Sequence, residues 1–174
     1  VRFIGNHSSG KMGIAIAEEL TQRGAEVILV LGPSSQPIIQ QPAKLVRVTS
    51  AEEMYDVCVS CFDDCDIAIM SAAVADYTPA EVKDEKIKKA DQSLSIQLKP
   101  TKDILGSLGQ KKQKQLLVGF ALETNNEREN AIGKMKKKNA DIIVLNSLRD
   151  AGAGFGADTN KITIFLSNGQ EQSF

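Results

Sequence analysis

Residues 115 to 147 read "QLLVGFALETNNERENAIGKMKKKNADIIVLNS", and this stretch decides the fold class. "QLLVGFAL" is a run of apolar residues of the kind that a strand buried on both faces requires. A polar turn follows, then "NERENAIGKMKKKNA" as a helix and "DIIVLNS" as a second buried strand. Strand, helix and strand in this order form a right-handed βαβ unit with its two strands parallel.

The same alternation continues on both sides. "DIAIMSAA" at 66 to 73 is another continuous apolar strand, and "DILGSLGQKK" a short helix. Upstream lie the strands "EVILVLG" and "LVRV". Before them, "KMGIAIAEELTQRG" places Met12, Ala15, Ile16 and Leu20 at helical spacing and Gly24 where a helix end favours positive φ. In "TSAEEM", Thr49 or Ser50 is the N-cap, with Glu52 or Glu53 completing a capping box. "SLSIQLK" alternates Leu94, Ile96 and Leu98 with polar residues, which predicts a half-exposed antiparallel strand outside the main sheet. "KITIFL" and "EQSF" form a terminal hairpin around Ser167, Asn168 and Gly169. Val74 to Gln92 is polar, rich in lysine and without clear periodicity. The expected fold is Rossmann-like α/β, a mostly parallel sheet flanked by helices, in one domain.

In such sheets ligands bind beyond the carboxyl ends of the strands. Four polar loops follow those ends: "GNHSSG", "AAVADYTPAEVKDEKIKK", "ETNN" and "NSLRDAGAGFGADTNK".

Composition narrows the function classes. With 174 residues, 42% hydrophobic and 25% charged, the chain supports one substantial core. No apolar run reaches the roughly 18 to 20 residues of a spanning helix, and no secretory leader opens the chain. A cytoplasmic protein is the expectation. The formal net charge of −1 removes the attraction behind general nucleic-acid binding, so an anionic ligand needs a local cationic cluster. The sole histidine, His7, excludes His-rich metal sites. Cys58, Cys61 and Cys65 begin like a metal or redox motif. Yet Met54, Val57, Cys58, Cys61 and Phe62 fall at helical spacing, so two of the three thiols read as small hydrophobes on a buried helix face.

Several segments carry candidate chemistry. "GNHSSGKMG" has P-loop spacing from Gly5 through Gly10 to Lys11, but Met12 stands where the Mg²⁺-binding Ser or Thr belongs, which disfavours a P-loop. Ser8, Ser9 and Gly10 lead into a helix N-terminus, so they either receive an anion or polarised carbonyl or simply cap the helix. In "AAVADYTP", Ala72 and Ala73 leave room for a planar ligand. Asp76 is either a ligand-binding carboxylate or a turn cap. Lys83, Lys86, Lys88 and Lys89 are either solvated surface or a lid over a polyphosphate. Lys134 and Lys138, at i and i+4, share a helix face that suits one extended anion or simply complements the dipole. No G-x-G-x-x-G fingerprint and no Ser/His/Asp arrangement is evident, which weakens redox and hydrolase readings.

Six motifs in order, "VRFIGNHSSGKMG", "AAVADYTP", "EKIKK", "KDIL", "GFALETNN" and "KKKNADIIVLN", resemble phosphopantothenoylcysteine synthetase of the bacterial type often fused behind a flavin-dependent decarboxylase. The resemblance runs from Val1 to about Thr163. It implies a ligase of coenzyme A biosynthesis that joins 4′-phosphopantothenate to cysteine through an acyl-cytidylate, using CTP with Mg²⁺ and no separate protein metal site. It assigns Asn6 to the acyl group, Arg2 beside it, and Ser8, Ser9, Gly10 and Ala73 to the substrate. Cytidine falls to Met70, Ser71, Ala72 and Phe120. Asp76, Lys86, Lys102, Asp103, Ile104, Leu105, Lys134 and Lys138 become nucleotide contacts, with Lys86 the catalytic lysine of a flap spanning 79 to 91.

The resemblance further implies a homodimer through an arm at 93 to 99, a strand with a Gly-Gly-Thr-type loop ahead of Val1, and a closing helix beyond Phe174. Relatives of this type commonly have Pro before the aspartate of "KDIL", where this chain has Lys102. The cysteines of the chain receive no catalytic part. The alternative reading is a Rossmann-like nucleotide- or NAD-binding module without ligase activity.

Overall fold

The βαβ unit forms as its sequence dictates. The computed structural model describes residues 4–82, 85, 94–123, 125–147 and 161–174. Strand β6 (Leu116–Glu123) leads through helix α4 (Glu127–Lys137) to β7 (Ile142–Ser147), and the strands pair in parallel from Val118 opposite Ile142 to Glu123 opposite Ser147. Before this unit come α1 (Lys11–Gln22), β1 (Ile28–Leu31), β2 (Lys44–Arg47), α2 (Ala51–Cys61), β3 (Ile67–Met70), β4 (Tyr77–Pro79), β5 (Leu98–Pro100) and α3 (Ile104–Lys111). After it come β8 (Ile162–Leu166) and β9 (Glu171–Ser173).

The main sheet has the order β3-β6-β7-β8-β9. Its β3–β6 and β6–β7 pairs are parallel, whereas β7–β8 and β8–β9 are antiparallel. The expectation of a mostly parallel sheet is therefore corrected to a mixed one. The terminal hairpin joins the sheet and covers the edge of β7, whose amides and carbonyls would otherwise lack partners on that side. Strands β1 and β2 form a separate parallel pair, and β4 and β5 a small antiparallel one.

Alternation sorts the side chains to two faces. Leu117, Ala121, Ile143, Leu145 and Phe165 are buried in the same core cluster as Ile104 and Leu108 of α3 and Ala131 and Met135 of α4. On the opposite face, Ile69, Val118, Phe120, Val144 and Ile162 line an apolar pocket with Met12 and Ile16 of α1. Helices therefore lie on both faces, as expected. Gly119 lets α3 approach β6 closely: a Cβ there would lie 2.8 Å from Leu105 Cδ2 and 2.9 Å from Ile143 Cδ1.

Local signals resolve in detail. Helix α1 ends at a positive-φ Gly24, with Gly24 N–H donating to Thr21 and Ala25 N–H to Leu20. Its most buried residues are Ile14 and Ala17, while Ala15 is exposed, so its inward stripe is rotated from the one expected. Ser50 is the N-cap of α2, accepting from Glu53 N–H at 3.1 Å. The Glu53 carboxylate reaches back to Thr49 N–H at 2.7 Å, and this backbone hydrogen bond, with that from the Thr49 hydroxyl, holds its pKa below the usual range.

All three cysteines are half-buried and free. It is Cys58 and Cys65 that pack against the core, rather than Cys58 and Cys61. Burial, assisted by Cys61, pushes the Cys58 thiol up to about 11.

Strand β4 falls inside the region expected to be a loop, and its partner β5 covers only the end of the expected arm strand. Tyr77 and Thr78 are the β-favouring residues that carried this signal. Leu94, Ile96 and Leu98 are exposed.

Candidate active site

The loops at the carboxyl ends of the strands are linked by a chain of side-chain contacts. Gly10, at φ 78°, turns the opening loop into α1; a Cβ there would lie 3.3 Å from both Leu31 Cδ1 and Ser34 Oγ. Ser9 Oγ accepts from Lys11 N–H at 3.3 Å across this turn, while the N-cap position itself is Gly10 and carries no side-chain cap. The Ser34 hydroxyl donates to the Ser9 carbonyl at 2.6 Å, and Asn6 Nδ2 donates to the Val74 carbonyl at 3.0 Å. The opening loop is thereby held both by the loop after β1 and by the loop after β3. Ser71, one residue beyond β3, has its hydroxyl 3.0 Å from where a Cβ on Gly13 would be, which places it beneath α1.

The loop after β3 is fixed in turn to the head of α3. The Thr101 hydroxyl donates to Ala75 O at 2.6 Å, and Thr101 N–H donates to Asp76 O at 2.9 Å. Asp103 caps α3 by accepting from Gly106 N–H at 3.0 Å, and its other oxygen pairs with Lys138. Burial alone would raise the Asp103 pKa; the Lys138 ammonium and the Gly106 amide outweigh it and hold the carboxyl below its ordinary value.

The two lysines expected to share a face do so. Lys134 Nζ donates to the Phe120 carbonyl at 2.7 Å. Its pKa is lowered, first by burial and then by Lys138, against the opposing charges of Glu123, Asp103 and Asp76. Two cations and three carboxylates thus interact across the ends of β6, α4 and the loops after β3 and β5. A cationic ligand group or a metal–phosphate complex and an anion could each find partners here.

Not every residue assigned from the sequence turns toward this cluster. The Lys102 side chain lies against α2, 3.4 Å from Glu52, 3.6 Å from Asp56 and 4.7 Å from the Tyr55 ring centroid. Ala72 and Ala73 are exposed beyond β3. Arg2, Lys83, Lys86, Lys88 and Lys89, and residues 148 to 160 of the fourth loop, lie outside the described residues.

Two residues were missed. Ser34 fastens the opening loop, and no motif marks it. Glu123 ends β6, where Asn130 Nδ2 donates to it at 3.1 Å and to the Asn125 carbonyl at 2.9 Å. The placement of Glu123 directly after a buried strand was the available signal.

The sequence profile of the DNA/pantothenate metabolism flavoprotein C-terminal domain family matches residues 1–174. The chain belongs to this family. A cysteine/cysteine sulfinic acid decarboxylase from an unknown prokaryotic organism is 55% identical over 165 residues, covering 94% of this chain and 46% of that protein. The coenzyme A biosynthesis bifunctional protein CoaBC of Bacillus subtilis (strain 168) is 48% identical over 172 residues, covering 99% of this chain and 42% of that protein. The crystal structure of the C-terminal domain of a CoaBC protein superposes with a TM-score of 0.81 at 41% identity, covering 100% of this chain and 77% of that one.

The chain spans less than half the length of these curated relatives. As a member of the DNA/pantothenate metabolism flavoprotein C-terminal domains, it corresponds to the C-terminal domain of CoaBC, in agreement with the family resemblance read from its motifs. The contact chain from Asn6 to Phe120 is therefore a feature of a domain with that ancestry.

Proposed function

We propose that this domain is a CTP-dependent phosphopantothenate–cysteine ligase. In the first step a carboxylate oxygen of 4′-phosphopantothenate attacks the α-phosphorus of CTP; the bond to the bridging oxygen breaks and pyrophosphate leaves. In the second, the amine of cysteine attacks the acyl carbon, the acyl–oxygen bond breaks, and the amide product and CMP leave with release of the amine proton. No covalent bond to the protein is needed.

The observation that carries this reading is the linkage of Asn6, Val74, Asp103, Lys138, Lys134 and Phe120 by contacts from one loop to the next. A carboxylate and a triphosphate repel one another, so a site for both needs cations beside neutral donors held in fixed positions. Asn6 supplies an uncharged amide for the acyl oxygen, with Arg2, Ser8, Ser9, Gly10 and Ala73 around the phosphopantothenate. Met70, Ser71, Ala72 and Phe120 hold the cytidine. Lys134, Lys138 and the backbone of Lys102 to Leu105 meet the phosphates with Asp76, and Lys86 offsets charge at the α-phosphate.

Among the described residues no group of three or more His, Cys, Asp or Glu side chains could hold a metal. Mg²⁺ would enter with the phosphates of the nucleotide, and Asp76 is the carboxylate that would face it. The exposed row of Leu94, Ile96 and Leu98 supports pairing of the arm with a second copy in a homodimer. The length of the CoaBC relatives supports fusion to, or association with, a flavin-dependent decarboxylase. The reaction belongs in the cytoplasm.

The test follows the nucleotide. Pyrophosphate should appear only when CTP and phosphopantothenate are both present, and CMP only after cysteine is added. Lys86→Ala should block the first release. A nucleotide pool left unchanged with CTP and ATP alike would overturn the assignment.

A further inference from the structure

Helix α4 ends in a way that leaves one residue without an obvious reason for its identity. Lys138 N–H donates to Lys134 O at 2.9 Å, Asn139 N–H to Lys136 O at 3.2 Å and Ala140 N–H to Met135 O at 3.0 Å. This pattern closes a helix with a left-handed residue, and Asn139 occupies it at φ 50°. Glycine is the residue such a position favours, and α1 ends with Gly24 in the same role. Asparagine is tolerated there, and here its side chain has a second task. Asn139 Nδ2 donates to the Gly109 carbonyl at 2.8 Å.

That carbonyl lies in the last turn of α3, where helix carbonyls run out of amide partners. The amide of Gln113, four residues on, instead donates to Gln115 Oε1 at 2.9 Å. Gly109 also gives the end of α4 room to approach α3, since a Cβ there would collide with the Lys138 carbonyl. Consecutive residues of α4's end therefore straddle α3: Lys138 reaches Asp103 at its head and Asn139 holds Gly109 two turns later. Gly106 leaves space for the Asp103 carboxylate, which a Cβ would strike.

We infer that Asn139 is a positioning residue for the nucleotide: by holding Gly109 it fixes Lys138 against the head of α3, so that this cation and the first turn of α3 meet the phosphates already assembled. The inference rests on the ligase reading for the identity of the anion, but the clasp itself does not. Its benefit is that fewer groups must be ordered when the ligand binds.

Asn139→Gly tests it, because glycine keeps the left-handed backbone and removes only the amide. Competitive acetylation of the lysines with acetic anhydride, read by mass spectrometry, compares the part-buried Lys138 with the exposed Lys136. In the variant, labelling of Lys138 relative to Lys136 should rise about threefold or more, with the melting temperature nearly unchanged. The KM for CTP should rise about tenfold with kcat within about twofold. In a Lys138→Ala background, adding Asn139→Gly should change the CTP KM no further. An unchanged labelling ratio overturns the clasp, and an equal effect of Asn139→Gly with and without Lys138 overturns its role in positioning. Gly109→Ala, which forces the helices apart, should raise Lys138 labelling by the same route. Should the wild-type protein consume no CTP, the ligase reading fails while the labelling ratio still decides the clasp.

Discussion

The side-chain amide of Asn6 donates to the carbonyl oxygen of Val74 at 3.0 Å, across 68 positions of sequence. It joins the loop entering α1 to the loop leaving β3. In the proposed reaction this holds the amide beside the acyl carbon rather than the departing pyrophosphate. Asn6→Ala should therefore slow CMP release after cysteine addition by about 10² to 10³-fold, the usual cost of losing one preorganised donor. Pyrophosphate release should stay within a few-fold. Single-turnover measurement of both products separates the steps, and equal loss of both would contradict this division.

Lys134 is held in place at a cost. Burial lowers its pKa, so the folded state disfavours the charged form relative to the unfolded chain. The sign follows: near neutral pH its charge weakens the fold, and the penalty is relieved as pH rises through the lowered pKa. Lys134→Met keeps the apolar stem and removes the charge. Stability to urea should be retained or increase slightly, while the KM for CTP rises at least about tenfold. A large stability loss with normal KM would reverse the interpretation.

Asp141 supplies a contrasting case. Its carboxylate accepts from Lys112 Nζ at 2.8 Å and from Leu117 N–H at 2.8 Å, tying the end of α3 to the start of β6. Asp141→Ala strands both donors and should cost about 2 to 3 kcal/mol in urea unfolding. Asp141→Asn keeps an acceptor for Leu117 and should cost less.

The Cys58 thiol gives a pH signature. Its folded pKa is raised from 9.0 to about 11, so the folded state retains the proton longer than the unfolded chain. That stability is fully present below pH 9 and is lost as pH climbs toward 11. In Cys58→Ala this part of the alkaline decline should vanish from thermal unfolding curves between those limits. At pH 8, Cys58 should also react more slowly with iodoacetamide than Cys61, as peptide mapping would show.

Elements whose burial is written into periodicity were legible. "QLLVGFAL" and "DIIVLNS" became β6 and β7, Gly24 closed α1, and the "TSAEEM" box formed at Ser50. Strand β4 was hidden because three residues are too few to show alternation, and its partner strand begins only at Leu98, far downstream of its end at Pro79. The antiparallel entry of β8 into the main sheet was equally hidden, since a strand carries no mark of its neighbour's direction.

The candidate site divides along the same line. Helical spacing alone singled out Lys134 and Lys138, the motifs in order pointed to the family that the profile match shows, and Asn6 came only with that resemblance. Only the tertiary structure turned Lys102 away to α2, placed Ser34 under Ser9 and set Asn139 against Gly109. The physical reason is range. Helical and strand periods are fixed by local backbone geometry and can be read within a turn or two. Which side chain meets which carbonyl depends on how separate elements pack, and no local period encodes that.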